Sequence, residues 1–534
     1  MHKIKEYFNG ENSVKGATVI LIITLTLSNV LGLIRDHFLA QKIPTNLLDT
    51  YYAAFRIPDL IFNLLILGAI SAAFIPIFTN YIAQKDIKKA WYVTNSFMNL
   101  ACIALIVFIL LLALLMPYLI PLLVPDFTPD KQTLTIQLAR LLLISPLFFG
   151  ISYLFGAVLN SFKRFLVYSI APLVYNLSII IATIFFADKI GVYAPVFGVI
   201  IGAFLHMFVQ IPSAVALGWR PQWVFDWAHE GVKKITKLMI PRTIGLGAMQ
   251  VMLLVYTGIA SSIGAGAVAI FNLADNIQSM PTVVFGTSFA TAVFPSLSQA
   301  ASLGKNEDFS NYIWKSIRAI LFILIPAGVG IILLRAQIVR LILGSGHFGW
   351  QQTIDTAQTL GYFALALFAQ GLIPLLARGF YARHNTKTPT IISIISMVVS
   401  VILGFILTPK MGVAGLALAF SLSGFFNAAL LYIYLQKAFP LLKNGGKGIG
   451  LFLLKILAAT GLMVLIIQLS KYVVEPLVNM QKFWGVLTQT GVAIVLGMGA
   501  YLLLAHLLGC KEFTEVFWII KKRFAPNGNN INKK

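Results

Sequence analysis

The chain has 534 residues, of which 58% are hydrophobic and only 11% charged, against about 25% charged in a soluble domain. This excludes an ordinary water-soluble enzyme, so the length is better divided by the roughly 20 apolar residues that cross a hydrocarbon core. The net charge of +22 does not point to nucleic acid, because Lys and Arg fall in short clusters between apolar runs, where they set orientation in a membrane. Two cysteines, Cys102 and Cys510, supply neither a disulfide framework nor a zinc pattern.

In chain order, apolar stretches predict helices at 17–40, 52–81, 95–123, 134–160, 166–187 and 192–218, then at 238–262, 267–300, 313–343, 357–382, 388–408 and 412–436. A last pair falls at 449–471 and 483–508. The first run is too long for a signal-peptide core, contains Arg35 and Asp36 and has no small-x-small cleavage site, so it is expected to be retained. Runs of this length suit helices rather than barrel strands, since backbone groups inside a bilayer must be satisfied within the segment. The expectation is an all-α integral membrane protein with about fourteen transmembrane helices.

With the N-terminus placed in the cytoplasm, 28 of the 40 Lys and Arg residues fall on the cytoplasmic side and 8 on the other. The remaining four, Arg35, Arg56, Arg140 and Arg242, lie inside spans. That split predicts both termini in the cytoplasm. The two groups of six spans also look like diverged copies. Pro58 matches Pro281, and Ala73-Phe74-Ile75-Pro76 resembles Ala292-Val293-Phe294-Pro295. Six is an even number, so both copies insert with the same orientation, and two pseudosymmetric six-helix lobes around a central cavity are expected. The corresponding domains are 1–218 and 238–436, joined by an amphipathic cytoplasmic linker at 219–237. A second linker at 437–448, the helix pair at 449–508 and a basic cytoplasmic tail at 509–534 complete the chain.

Ionisable residues inside spans are costly and are functional candidates by default. In span 1, Asn29, Gly32 and Asp36 share a helical face with Arg35 at its edge, a stripe that lines a hydrated cavity or pairs locally near the helix end. In span 2, Tyr52, Arg56, Asp59 and Asn63 recur at helical spacing, with Asp49 above them. They line a cavity, or Arg56 and Asp59 neutralise each other in a structural ion-pair set with Arg35 and Asp36. Asn272, Asp275, Asn276 and Ser279 form a matching stripe in span 8, whose plainer explanation is hydrogen bonding between helices. Arg242, after Pro241, contacts an anionic headgroup or anchors at the interface. His206, alone in span 6, reads as a packed core residue before it reads as a proton relay. Metalloprotease, phosphate-loop and nucleophile-elbow patterns are missing from the sequence, and neither a metal nor a cofactor is expected.

At these residues the sequence resembles the MurJ (MviN) lipid II flippase family of the multidrug/oligosaccharidyl-lipid/polysaccharide exporter superfamily. The stretches that carry the likeness are Ser28-Asn29-Val30-Leu31-Gly32-Leu33-Ile34-Arg35-Asp36, Ala54-Phe55-Arg56-Ile57-Pro58-Asp59-Leu60 and Pro241-Arg242-Thr243-Ile244-Gly245. The most specific is Phe380-Tyr381-Ala382-Arg383-His384-Asn385-Thr386-Lys387-Thr388-Pro389. The resemblance implies twelve helices in two lobes, two C-terminal helices forming a groove for a lipid tail, and alternating access in the bacterial cytoplasmic membrane. It also implies a substrate, lipid II, which is undecaprenyl-pyrophosphate disaccharide-pentapeptide. Membrane lipids and cell-wall synthesis enzymes are the further partners it suggests. Arg35 and Asp49 match functional positions of the family, whereas family cavity arginines align with Asn29, Phe62 and Asn276 here and a family glutamate aligns with Leu67. The alternatives are a flippase for another lipid-linked oligosaccharide, a cation-coupled small-molecule antiporter of the same superfamily, and a scaffold that binds cell-wall enzymes without transporting.

Overall fold

A computed structural model describes residues 14–67, 69–439, 448–510 and 512–513, with side chains for all of these except 14–22, 65, 67, 69–72 and 240–249. Most of the described residues are helical, and none is in a strand. In order they form α1 (Val14–Lys42), α2 (Thr45–Ile61), α3 (Ala69–Ala83), α4 (Ile87–Leu123), α5 (Pro129–Leu142), α6 (Ser145–Ser161), α7 (Phe165–Ile190), α8 (Tyr193–Phe208) and α9 (Ile211–Ala216). There follow α10 (Glu230–Ser261), α11 (Ala267–Pro281), α12 (Ser288–Ser302), α13 (Asn306–Ile342), α14 (Trp350–Leu365), α15 (Leu367–Tyr381), α16 (Lys387–Met411), α17 (Val413–Ala438), α18 (Ile449–Val474) and α19 (Phe483–Leu507).

Ten helical stretches among the described residues are long and apolar enough to cross a membrane, and the pair α14 and α15, bent by 45° at its break, makes up to eleven. The other three expected spans coincide with α1, with the α2–α3 segment and with α10, so helix stands at all fourteen places while the count of fourteen crossings is not reached by length and hydropathy. Expected span 4 is made of α5 and α6, and expected span 6 of α8 and α9.

The internal repeat has a structural counterpart. A six-residue π-helical segment, Phe62–Leu67, follows α2, and another, Thr282–Thr287, follows α11. Each leads into a 15-residue helix whose eighth residue is a proline, Pro76 in α3 and Pro295 in α12. A π segment widens a helix by one residue and often marks a functional position. Pro76 and Pro295 are therefore equivalent. Pro58 is not equivalent to Pro281, since it lies four residues before its π segment and Pro281 immediately before its own.

The chain divides into two compact units: residues 1–276 with 342–356 and 397–416, and residues 277–341 with 357–396 and 417–534. The first has an aromatic core of Phe74, Phe78, Trp91, Phe97, Phe155 and Trp219. On α4, Tyr92, Asn95, Ser96 and Asn99 share one face and bind the extended strap 217–229 that leads into α10. Asn95 Nδ2 donates to Arg220 O at 3.0 Å, Asn99 Nδ2 to Gln222 O at 2.7 Å and Tyr92 Oη to Asp226 Oδ2 at 3.1 Å. In the expected linker 219–237, helix thus begins only at Glu230.

In the second unit, the π segment Thr282–Thr287 packs against α15 so closely that a Cβ on Gly286 would lie 2.6 Å from the Gly371 Cα. α18 and α19 approach each other at Gly497, where a Cβ would meet Ile467 at 2.5 Å. They are joined to α13 by Tyr501 Oη donating to Phe322 O at 2.6 Å and by Lys471 Nζ donating to Leu333 O at 3.3 Å.

Candidate functional site

All nine candidate residues fall in the first unit, and the structure brings most of them into three polar contacts. In the first, Arg35 Nε and Nη2 both donate to Asp36 Oδ1, at 3.0 and 2.8 Å. Arg35 Nη1 reaches Asn176 Oδ1 on α7 at 3.4 Å. The other Asp36 oxygen accepts from Asn276 Nδ2 on α11 at 2.8 Å. Asp36 is 1% exposed, and a carboxylate so placed needs these donors to offset its lost hydration.

The second contact belongs to Arg56. Its Nε donates to Thr257 Oγ1 on α10 at 2.6 Å and its Nη2 to Asn272 Oδ1 on α11 at 2.7 Å. Among the described residues no carboxylate lies within ion-pair distance of Arg56, so of the two readings of this stripe the direct Arg56–Asp59 ion pair does not form. Three-residue spacing puts the two on one face, but the neutral oxygens on α10 and α11 take the guanidinium. Asp59, half-buried, turns to a different cavity described below.

Asp49 makes the third. Its carboxylate is 0% exposed and receives three donors: Lys131 Nζ at 2.6 Å, Gly266 N at 2.6 Å and Ala269 N at 2.9 Å. The two amides lie at the start of α11, so Asp49 caps that helix from α2 and meets the positive end of its dipole. Lys131 is in turn held over the Phe127 ring, 4.0 Å from its centroid. Asp49 is thus a tie between α2, α5 and α11, with every donor internal.

Asn29 carries a buried Nδ2 without a hydrogen-bond partner, as does Tyr52 Oη; such atoms are costly unless a ligand or water meets them. Asp275 sits half-buried on α11. Arg242 lies in α10, with its side chain outside the described residues. Reasoning from sequence missed Lys131, Asn176 and Thr257. Asn176, a single amide in an otherwise apolar span, was the one with a visible signal.

α2 has a second, apolar face. Ile57, Leu60 and Ile61, with Leu64 of the following π segment, line a cleft of about 720 Å³ together with α4 and α10 residues such as Phe108, Leu119 and Leu254, with Asp126 and Ser262 its polar members. One helix therefore carries a half-buried charge, Arg56, at the edge of a hydrocarbon-lined space.

Repeated helix–π–helix segments, buried charges held between helices and many apolar spans define a multi-pass membrane protein with a transporter fold. A solved structure of an inward-facing multidrug resistance MATE family transporter of the MOP superfamily shares this fold with a TM-score of 0.67 at 14% identity, over 80% of this chain and 99% of that one. One described as "Lipid II flippase MurJ, inward closed conformation" shares it with a TM-score of 0.76 at 24% identity, over 95% of this chain and all of that one. The family profile described as "Lipid II flippase MurJ" matches residues 44–488, and the probable lipid II flippase MurJ of Rickettsia prowazekii is 30% identical over 494 residues, covering 92% of this chain and 97% of its own. The chain belongs to the MurJ family.

The Asp49 tie yields a direct expectation. Lys131→Met leaves a buried carboxylate without its cation and is expected to destabilise the protein by about 3–5 kcal/mol, the scale for breaking a buried pair. Adding Asp49→Asn should recover most of that loss. Thermal unfolding of the detergent-purified variants measures it, and a Lys131→Met protein as stable as the parent would remove the ion pair from the account.

Proposed function

We propose that the chain is a transporter, not an enzyme, and that it flips lipid II from the inner to the outer leaflet of the cytoplasmic membrane by alternating access. The observation that carries this reading is the two-sided α2. An amphiphile with a pyrophosphate and a polyprenyl chain needs a cation and a hydrocarbon-lined path within reach of each other, and Arg56 and the 720 Å³ cleft supply them from adjoining faces of one helix, Leu60 of the cleft lying one turn from Arg56. The names of the relatives support the same substrate.

In this proposal Arg56 is the main headgroup cation, since its hydrogen bonds go to neutral oxygens and leave its charge uncompensated by any carboxylate contact. Arg35, oriented by its two bonds to Asp36, and Arg242 are the lesser contributors. Guanidinium groups suit phosphate oxygens because their planar fork can donate two parallel bonds. Asn29, through its unpartnered Nδ2, adds a neutral donor. The lobes 1–218 and 238–436 and the tail-binding pair 449–508 belong to the same proposal, as do contacts with cell-wall synthesis enzymes.

Replacing the native lipid II flippase by this chain in a depletion strain should sustain growth, whereas lysis with precursor accumulating at normal membrane abundance would contradict the proposal. Arg56→Gln should weaken lipid II binding by about 1.5–3 kcal/mol, the scale of a hydrogen bond to a charged group, and Asp59→Asn should not restore it because the two are not paired. Full rescue by the double variant would show that the loss came from stranding Asp59.

Orientation is part of the proposal, with both termini cytoplasmic. A cysteine introduced at 83–90 or 221–233 should be shielded from an impermeant thiol reagent added to intact cells, and one at 126–131 should react. The reverse pattern would invert the assignment; the comparable stretch 441–447 lies outside the described residues.

A further inference from the structure

A cavity of about 280 Å³ inside the first unit is chemically unlike the apolar cleft. Part of its lining is an interlocked aromatic group. Phe62 lies 5.1 Å from Phe149 and 5.3 Å from Tyr153, Phe149 lies 5.3 Å from Tyr175, and Tyr153 stacks on the His206 ring at 5.9 Å and 18°. The rest is polar, with Arg35, Asp59 and Asn176 all on the wall.

The polar groups differ in what they have left to give. Arg35 is engaged by Asp36 and Asn176. His206 Nδ1 is held 2.6 Å from Ser152 Oγ; that hydroxyl donates to His206 O at 3.1 Å and accepts from Gln210 Nε2 at 2.6 Å. By contrast, the Asp59 carboxylate, His206 Nε2 and the hydroxyls of Tyr153 and Tyr175 make no hydrogen bond among the described residues. His206 is buried and the other three residues are half-buried, and unpartnered polar groups on a cavity wall are ones a ligand can satisfy; here they surround one space.

Their chemistry selects a ligand class. A free anion is disfavoured, because the Arg35 charge is already met by Asp36 and Asp59 adds negative charge. A metal ion is disfavoured by the guanidinium on the same wall and by a donor set with a single carboxylate. What fits is a neutral ring with an apolar face for the aromatic group and an edge of hydroxyl or amide N–H donors for Asp59. The volume is near the lower end of small-molecule pockets, about 300 Å³, which suits one ring rather than two.

We propose that this cavity is a subsite for one pyranose ring of the lipid-linked headgroup, with Asp59 accepting hydrogen bonds from the sugar and the tyrosine hydroxyls and His206 Nε2 completing the contact. The inference rests on the flippase reading but is separable from it. A site built to hydrogen-bond hydroxyls discriminates strongly against analogues that lack them.

The test measures binding of three probes to the purified full chain: lipid II, undecaprenyl pyrophosphate without sugar, and the soluble disaccharide-pentapeptide without lipid or pyrophosphate. The unaltered protein should bind lipid II at least about tenfold tighter than the sugar-free lipid, in line with one hydrogen bond to a charged group. Asp59→Asn should erase most of that ratio without weakening affinity for the sugar-free lipid. Tyr153→Phe, a smaller change, should reduce the ratio with unfolding temperature preserved, and it keeps the test open if Asp59→Asn misfolds. Equal binding of both lipids overturns the subsite and leaves the flippase reading standing. Binding of the soluble fragment alone, sensitive to Asp59→Asn, upholds the subsite while contradicting the flippase reading, and failure of all three probes overturns both.

Discussion

Charge kept out of water must find a partner, and that constraint decides how the first unit is assembled. Asp49, Asp36 and Arg56 each reach across to α11: to its first-turn amides, to Asn276 and to Asn272. Three contacts from α1 and α2 therefore fix the position of one helix, and each is a group that hydrocarbon would not tolerate alone. The apolar packing of Phe74, Phe78, Trp91 and Phe155 supplies bulk, as burial of large rings does, but it is the polar contacts that carry direction and distance.

The proposed function rests on the same contacts. Arg56 is held by a hydroxyl and an amide rather than by a carboxylate, and its proposed role toward an anionic headgroup starts from those neutral contacts. Arg35, tied to a neighbouring acid, is the opposite case. Asp49 is different again, since all three of its donors are internal and its role is to hold the start of α11. A carrier needs both kinds of charge, one to meet the cargo and one to keep the helices in register.

Much of the fold was legible in the sequence, because bilayer thickness imposes helix length and any long apolar run must be helical. The repeat was legible too, through Ala73–Pro76 and Ala292–Pro295, although its register became clear only with the two π segments, which leave no signature in hydropathy. The polar residues of the spans were readable in the sequence, and their pairing was less so. Arg35, Asp36, Arg56 and Asn276 stand out as polar residues in apolar spans, but helical spacing says which side chains share a face and not which neighbour takes them. Arg56 and Asp59 therefore looked like partners, while Thr257 and Asn272, two hundred residues away, bind the arginine. Lys131 was hidden for a different reason: a lysine outside the apolar runs is ordinary, and only tertiary structure places it on a fully buried aspartate.

The most direct measurement of the central claim is translocation by the purified chain alone. Liposomes containing the protein and fluorescent lipid II in both leaflets would be exposed to an impermeant reagent that destroys the label outside. The account predicts that the inner-leaflet fraction becomes accessible with the chain present and far more slowly with Arg56→Gln at equal reconstitution. A protected fraction as persistent with the unaltered chain as in protein-free liposomes would contradict it.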